Sequence, residues 1–311
     1  MPTVSVIIPA YNSDKTILET IDSIQAQTFS DFELIVINDG STDQTLEILS
    51  TLDDPRIKIF SYENGGLPVA RNRGIDRATG EFITFIDADD LWTPNKLERQ
   101  LHALKSNPNA GVAYSWTAFI DENSNFLYAR EPLFYQGNIY PILLVRNFIS
   151  SGSNILIRRK LVGSVGYFDP DLKSVEDWDF YLRLAAICPF AVVPEYQILY
   201  RRVSGTMTSN IDTMETAILT VIERAFQNAP VELQYLKLRS LANAYRYLAK
   251  QCIFNQFDRT SVNQALQKLR KSISFSPSIL LSRETFRLII KILTVQLFPA
   301  QMASRFIEFI G

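Results

Sequence analysis

The chain has 311 residues, 47% of them hydrophobic, which is enough for one large α/β domain with an appendage and a sizeable core. Its 31 lysines and arginines nearly balance its 33 aspartates and glutamates, which excludes the strongly basic surface of a nucleic-acid-binding protein. A single histidine, His102, and two isolated cysteines, Cys188 and Cys252, exclude histidine-based zinc chemistry and a Ser-His-Asp triad, and two reduced core thiols favour a cytoplasmic location.

Strand and helix patterns alternate through the first hundred residues. Short apolar runs predict four buried strands, which are Val4–Ile8, Phe32–Ile37, Ile57–Tyr62 and Phe82–Ile86. Amphipathic segments between them predict helices, including one capped by Ser13 and one over Pro68–Ala78 that Gly80 closes. Repeated β-α-β units with continuous apolar strands favour an α/β fold with a mostly parallel central sheet and helices on both faces.

The rest of the sequence predicts a less regular second half and a helical tail. The predicted elements are strands Gly111–Ile120, Gly152–Arg158, Phe190–Val193 and Ile198–Tyr200, helix Glu176–Ala186, and tail helices Ala217–Phe226, Leu233–Phe254, Val262–Ile273 and Arg283 to the end. We therefore predict an α/β domain over residues 1–208, with halves at 1–110 and 111–208, and a helical region over residues 209–311.

Polar clusters follow three of the predicted strands at the point where each strand ends. The clusters are Pro9–Asn12, Asn38–Asp43 and Asp87–Asp90. Because ligands of parallel sheets bind beyond the carboxyl ends of the strands, we expect these three clusters to share one rim that binds a ligand.

Asp87, Asp89 and Asp90 crowd three carboxylates at one strand end. In extended backbone Asp87 and Asp89 point the same way, and a divalent cation would relieve their repulsion. Mg²⁺ and Mn²⁺ take one or two protein carboxylates and fill their shells with phosphate oxygens and water, so the pair predicts a metal that holds a diphosphate. The alternative is a solvated acidic turn that caps the next helix.

Three further rim residues each have two interpretations. Tyr11 offers a ring for stacking on a nucleobase, or packs as a loop aromatic. Asp39 offers a carboxylate to an N–H group of a base, or serves as a turn residue before Gly40. Arg71, which follows Gly65–Gly66, offers a cation to a base or phosphate, or lies on the surface of its helix.

Glu176 and Asp177 open an otherwise apolar helix. The helix N-terminus favours ionised carboxylates, which by itself explains the pair. The functional alternative makes Asp177 a general base that takes the proton of an acceptor hydroxyl, while Glu176 orients a hydroxyl or the base.

Five segments together resemble family 2 glycosyltransferases with the GT-A fold. They follow the order and approximate spacing of that family, and they are Val4–Asn12, Val36–Asp43, Gly66–Gly74, Phe85–Asp90 and Glu176–Asp179. The resemblance covers residues 2–208 and implies an inverting, metal-dependent hexosyltransferase that moves a sugar from a nucleotide-sugar, usually a UDP-sugar, to a hydroxyl. It also implies a carbohydrate or lipid-linked acceptor, work in cell-surface polysaccharide or glycolipid synthesis, a nucleotide-binding half at 1–110 and an acceptor half at 111–208.

The resemblance also implies roles for individual residues. Pro9, Ala10, Tyr11 and Asp39 would line the pocket of the nucleobase, and Arg71 would lie near the base or the diphosphate. Asp87 and Ala88 would lie near the ribose of the donor, and Ser153 would contact its sugar. Asp89, with Asp87 beside it, would coordinate Mn²⁺ or Mg²⁺, and Asp177 would be the catalytic base. Glu176, Trp178 and Arg202 would orient the acceptor or stabilise the leaving diphosphate.

The segment after the second half departs from the family pattern. Many relatives place a histidine soon after a Tyr-Arg pair, whereas Tyr200–Arg202 is followed here by Val203. If that histidine ligates the metal, this site has one protein ligand fewer, and water, a nearby Ser or Thr, or Arg202 would compensate.

Two other functions are weighed against transfer. A sugar nucleotidylyltransferase on a related fold would need a glycine-rich basic loop after the first strand, where this chain has Pro9–Asn12. A non-catalytic protein that binds nucleotide-sugars is disfavoured by the intact Asp89 and Asp177.

The tail helices have no readable site. Residues 1–9 lack a signal-peptide pattern, and charges such as Arg287 and Lys291 interrupt the apolar segment 286–310 before it reaches bilayer length. We expect the tail to pack on the domain, and peripheral contact with the cytoplasmic face of a membrane or a homodimer interface are the alternatives.

Overall fold

The computed structural model describes residues 1–202, 210–253 and 259–297. These residues form two compact units. The first contains residues 1–140, 148–172 and 176–202, and the second contains residues 141–147, 173–175, 210–253 and 259–297.

A nine-stranded sheet forms the centre of the first unit. Its strands are β1 (Val4–Ala10), β2 (Phe32–Asn38), β3 (Ile57–Ser61), β4 (Phe82–Phe85), β5 (Leu91–Trp92), β6 (Val112–Ile120), β7 (Phe126–Ala129), β8 (Leu156–Arg158) and β9 (Phe190–Arg201). Their order is β3-β2-β1-β4-β8-β6-β9-β5, with β7 paired to β6. The long pairings among β1–β4 and between β6 and β9 are parallel, and the shorter ones are antiparallel, which confirms a mostly parallel α/β sheet.

The helices occupy most of the remaining described chain. They are α1 (Ile17–Gln25), α2 (Thr45–Ser50), α3 (Leu67–Arg77), α4 (Lys96–Ser106), α5 (Tyr140–Val145), α6 (Val162–Val165), α7 (Glu176–Ile187), α8 (Ile211–Asn228), α9 (Lys237–Cys252), α10 (Arg259–Phe275) and α11 (Arg283–Leu297). None of the helices in the described ranges is long and apolar enough to cross a bilayer.

Helix α3 packs closely on strand β1. Every residue of β1 and β2 is buried, as the continuous apolar runs predict for strands covered on both faces. A Cβ atom on Gly74 would lie 2.3 Å from Ile7 Cγ2, so glycine lets α3 approach the strand. Gly80 does not close α3, which ends at Arg77; it is needed because a Cβ there would lie 2.7 Å from Ser5 N.

Several predicted boundaries are wrong for physical reasons. β1 continues through Pro9 because its pairing with β4 ends at Ile7, so the missing proline N–H faces no second strand. The two short strands predicted after residue 190 are one strand, β9, whose register with β6 shifts near Trp116. β5, β7 and α5 had no recognisable pattern. As predicted, His102 is exposed and both cysteines are free.

Candidate functional site

The carboxyl ends of β1, β2 and β4 form a rim, because the three strands are parallel neighbours. Ala10 is paired with Asn38 at the ends of β1 and β2. The loops that follow are joined, since Asn12 N donates to Ser41 Oγ at 3.0 Å. Tyr11 lies in this loop with 53% of its surface exposed, so its ring is available to a ligand.

Asp39 anchors the loop before α3. Its carboxylate is 2% exposed and accepts hydrogen bonds from Gly65 N at 3.1 Å and Gly66 N at 2.8 Å. It also forms an ion pair with Arg73 at 2.6 Å. The structure therefore gives Asp39 the turn-anchoring contacts of the plainer interpretation, and these contacts hold the glycine loop beside the rim.

Arg71 is buried inside the site and joins its two acidic segments. Its guanidinium is bound at 2.6 Å by Asp87 on one side and at 2.6 Å by Glu176 on the other. The residue is 1% exposed, so the predicted alternative of a helix-surface arginine is wrong. A Cβ atom on Gly152 would lie 2.2 Å from Arg71 Nη2, which explains glycine there. The two ion pairs bring the segment after β4 and the start of α7 into one cluster.

Asp87 and Asp89 carry the charge that a cation would neutralise. Burial and the nearby charge of Asp87 raise the pKa of Asp89 to about 6. Within the described residues no ion pair to Asp89 occurs, and no group of three or more His, Cys, Asp and Glu side chains is arranged to hold a metal. The residues fit Mn²⁺ or Mg²⁺ that takes one or two carboxylates and completes its shell with phosphate and water.

Ala88 and Ser153 lie deeper than the rim surface. Ala88 is 8% exposed, and its carbonyl accepts hydrogen bonds from Thr16 Oγ1 at 2.8 Å and Thr20 Oγ1 at 3.1 Å. Ser153 is 0% exposed, and its hydroxyl donates to Asp90 Oδ2 at 2.6 Å. In this conformation Ser153 has no surface for the predicted sugar contact, because its side chain supports the acidic segment from behind.

Asp177 opens α7 next to Glu176. Burial and the charge of Glu176 raise the pKa of Asp177 to about 7, against the lowering effect of Arg71. Trp178 N donates to Asp177 Oδ1 at 2.7 Å and orients the carboxylate, while the Trp178 side chain is buried. The charge of Asp87 also raises the pKa of Asp177, so the two acidic segments share one electrostatic environment. A carboxylate poised near neutrality is suited to general base catalysis.

Arg201 is a site residue that the sequence analysis missed. Its Nε donates to the Asp89 carbonyl at 2.7 Å, and its Nη2 forms an ion pair with Glu19 at 2.6 Å. An arginine at the end of an apolar strand gives no local signal for this role, because its partners lie far away in the sequence, in α1 and in the segment after β4. The predicted residue Arg202 lies over the rings of Phe119 and Tyr128, with Cζ 5.4 Å and 5.9 Å from their centroids. Val203, where the family pattern departs, is outside the described residues.

Sequence comparison places this geometry in a family. A sequence model described as "Glycosyltransferase like family 2" matches residues 5–251. An uncharacterised glycosyltransferase of Rickettsia typhi is 35% identical over 217 residues, which are 67% of this chain and 66% of that relative. TuaG of Bacillus subtilis, a putative teichuronic acid biosynthesis glycosyltransferase, is 31% identical over 67% of this chain and 82% of TuaG.

The chain spans only part of some relatives. It matches just 27% of a Rickettsia bellii glycosyltransferase to which it is 36% identical over 189 residues, and 66% of the Rickettsia typhi protein. The alignment therefore assigns the family, but not the activity, substrates or partners of the whole protein.

Solved structures share the fold. TarS of S. aureus, residues 1–349, has a TM-score of 0.62 at 22% identity over 99% of this chain and 90% of that one. The mannosyltransferase PcManGT of Pyrobaculum calidifontis, solved with GDP-Man and Mn²⁺, has a TM-score of 0.61 at 18% identity over 99% and 84%. These matches confirm the predicted GT-A fold. Because the family match also covers most of the sequence, the chain belongs to the family 2 glycosyltransferases.

Proposed function

We propose that the protein is an inverting glycosyltransferase that moves a sugar from a nucleoside diphosphate donor to a hydroxyl acceptor, with a divalent cation. The single observation that carries this proposal is the cluster in which Arg71 links Asp87 to Glu176. That link unites a pair of cation-binding carboxylates with a candidate base, Asp177, which is what one displacement at an anomeric carbon requires.

The donor is proposed to lie along the rim. Tyr11 would stack on the nucleobase, and Pro9, Ala10 and Asp39 would form the wall and floor of its pocket. Uracil is the proposed base, and the complex of TarS with UDP-GlcNAc supports this choice. Guanine is the alternative, because PcManGT was solved with GDP-Man.

The acidic segment is proposed to hold the diphosphate end of the donor. Asp87 and Ala88 would lie near the ribose, and Asp89, with Asp87 beside it, would bind Mn²⁺ or Mg²⁺. A bound cation would neutralise charge that develops on the diphosphate as it leaves. The GDP-Man complex of PcManGT also contains Mn²⁺, which supports this choice of cofactor.

The acceptor is proposed to approach from the side of α7. Asp177 would take the proton of the attacking hydroxyl as the new bond to the anomeric carbon forms and the bond to the diphosphate breaks. Glu176, held by Arg71, would orient the base, and Trp178 and Arg202 would lie on the acceptor side. The likeness to TuaG, which is named a putative teichuronic acid biosynthesis glycosyltransferase, supports a hydroxyl on a cell-surface polysaccharide or a lipid-linked saccharide.

The proposed function is tested by ligand-dependent stability and by product formation. Thermal shift with UDP, GDP, UDP-GlcNAc and GDP-Man, each with and without Mn²⁺, should show stabilisation by one nucleotide series that increases with Mn²⁺. Radiolabelled sugar should then appear on water or on an added saccharide. Binding without release of the nucleoside diphosphate would favour the non-catalytic alternative, and no binding of either series would overturn the proposal.

We also propose that residues 1–208 carry transfer and that the helical region 209–311 contacts the cytoplasmic face of a membrane. Leu281 is 90% exposed and Phe286 62% exposed, and Arg283 and Arg287 are exposed beside them on α11. This mixture suits anionic lipid headgroups, whereas a symmetric dimer through the same face would bring like charges together. Arg287→Glu should reduce sedimentation with phosphatidylglycerol vesicles, while Arg270→Glu on α10 should not. Equal sedimentation of both variants and wild type would contradict the contact.

A further inference from the structure

Ser153 and Asp90 form a fully buried hydrogen-bonded pair behind the rim. Ser153 is 0% exposed and Asp90 is 1% exposed. Ser153 Oγ donates to Asp90 Oδ2 at 2.6 Å and accepts a hydrogen bond from Asp87 N at 2.9 Å. One hydroxyl therefore joins the loop before β8 to both ends of the segment Asp87–Asp90.

The other oxygen of Asp90 extends this connection to β9. Asp90 Oδ1 accepts a hydrogen bond from Arg201 N at 3.0 Å, and Arg201 Nε donates to the Asp89 carbonyl at 2.7 Å. Asp89 is thus held through the backbone on both sides by buried groups, while its own carboxylate forms none of these bonds. Such outer contacts orient the groups that bind a cation.

We propose that Ser153 and Asp90 are positioning residues, which fix the Asp87–Asp89 backbone so that Asp89 is oriented for the cation of the donor complex. The inference rests on the proposed function, and it replaces the sugar contact expected for Ser153. In this role the Ser153 hydroxyl does not contact the donor, because the residue is 0% exposed and its proton is donated to Asp90 inside the protein.

The chain contains a matched control for this hydroxyl. Ser5 is also 0% exposed, donates to a carboxylate, Glu33 Oε1, at 2.6 Å, and accepts from a backbone group, Gly80 N, at 2.9 Å. It lies near the amino end of β1, away from the rim. Ser5→Ala and Ser153→Ala therefore remove the same two buried hydrogen bonds, and only the second removes them next to Asp89.

The experiment measures the dissociation constant of UDP or GDP, whichever stabilises the wild type more, with and without Mn²⁺ for the full chain. In Ser153→Ala we expect the gain in affinity from Mn²⁺ to fall about tenfold, while affinity without Mn²⁺ stays at the wild-type value. Ser5→Ala should keep both constants, although both variants should lower the melting temperature. Asp90→Asn is the second variant, because asparagine has nearly the shape of aspartate but its amide nitrogen cannot accept a hydrogen bond from Ser153. It should lose part of the gain in affinity from Mn²⁺.

Four results would overturn the inference. Equal behaviour of the two alanine variants would make Ser153 a purely structural residue. An equal loss with and without Mn²⁺ in Ser153→Ala would indicate direct donor contact. If the wild type binds nucleotide equally well with and without Mn²⁺, the proposed function loses its cation and the inference fails with it. If Ser153→Ala does not fold, an unchanged Mn²⁺ gain in Asp90→Asn would also contradict it.

Discussion

Glu33 lies near the amino end of β2 and Asp90 lies beyond the carboxyl end of β4, and each of these buried carboxylates accepts a 2.6 Å hydrogen bond from a buried serine. Glu33 is also bound by Lys58 at 2.8 Å. Although burial raises its pKa, the hydrogen bonds from Lys58, Ser5 and Thr79 lower it to about 2. Burial and the charges of Asp89 and Asp87 instead raise the pKa of Asp90 well above its usual value.

The difference distinguishes a structural acid from a functional acidic cluster. At the amino end the carboxylate is neutralised by a lysine, which stabilises the fold and leaves no charge for a ligand. At the carboxyl end the buried guanidinium of Arg71 pairs with Asp87 and Glu176, and Asp177 is close enough to act on its charge. Asp89 and Asp90 follow Asp87 in the chain, and the three charges repel one another. The remaining negative charge lowers the stability of the folded protein and favours binding of a cation. Functional sites often have this property, because groups arranged for a ligand are not arranged for stability.

Arg71 forms both ion pairs of this cluster, so its removal should have the largest effect on stability. Arg71→Met leaves the buried carboxylate of Glu176 and the partly buried carboxylate of Asp87 without their partner, and we expect a loss of about 3–5 kcal/mol in the free energy of unfolding. Denaturant unfolding measures this loss. Arg77→Met, which removes an exposed arginine from the same helix, should cost less than about 0.5 kcal/mol. Similar losses in both variants would contradict the central role of Arg71.

Removing the candidate base should slow the chemical step and preserve the fold. Asp177→Asn is expected to lower kcat by about a hundredfold or more with nucleotide affinity unchanged, because a general base acts in the transition state. In the wild type, Asp177 must be deprotonated to accept the proton, so kcat/KM should rise with pH through about 7 and then level off. A wild-type rate or a retained pH rise in Asp177→Asn would remove its role as base.

Neutralising the amino-end acid should destabilise the protein in a pH-dependent way. Glu33→Gln is expected to lower the unfolding free energy by about 1–3 kcal/mol at pH 7 through lost hydrogen bonds to a charged group. Because the folded pKa of Glu33 is lowered from 4.5 to about 2, its contribution is full above 4.5 and is lost as the pH falls towards 2. The variant and wild type should therefore converge in acid, and a difference that stays constant with pH would contradict the ion-pair account.

Neutralising a rim acid should have the smallest effect and the opposite sign. The folded pKa of Asp89 is raised from 3.8 to about 6, so its ionised form reduces stability as the pH rises through that range. Without metal, Asp89→Asn should stabilise the protein at pH 7 to 8 by about 1 kcal/mol, and its melting temperature should no longer respond to Mn²⁺ with nucleotide. Destabilisation by Asp89→Asn in metal-free buffer would break the contrast with Glu33.

How much of this could be predicted from the sequence depends on whether a residue's signal is local. Four strands, α3 and the approximate start of α7 follow from apolar runs and turn residues that adjoin them in the chain. The clusters at Asn12, Asp39 and Asp87–Asp90 were identified because parallel strands must place them at one rim. β7 pairs with the preceding strand β6, but it escaped prediction because all four of its residues are exposed and no buried face marks the strand. α5 escaped prediction because its six residues are too few to show a helical period.

The amino-acid sequence by itself determined the α/β class, the acidic segments and the lack of a usable histidine, since composition and strand periodicity are properties of neighbouring residues. Only the tertiary structure decided that Arg71 is buried between Asp87 and Glu176, that Ser153 supports the acidic segment from behind, and that Arg201 holds the Asp89 backbone. Those contacts join residues 16 to 112 positions apart, and long-range contacts of this kind are chosen by how strands and helices pack, which no local pattern encodes.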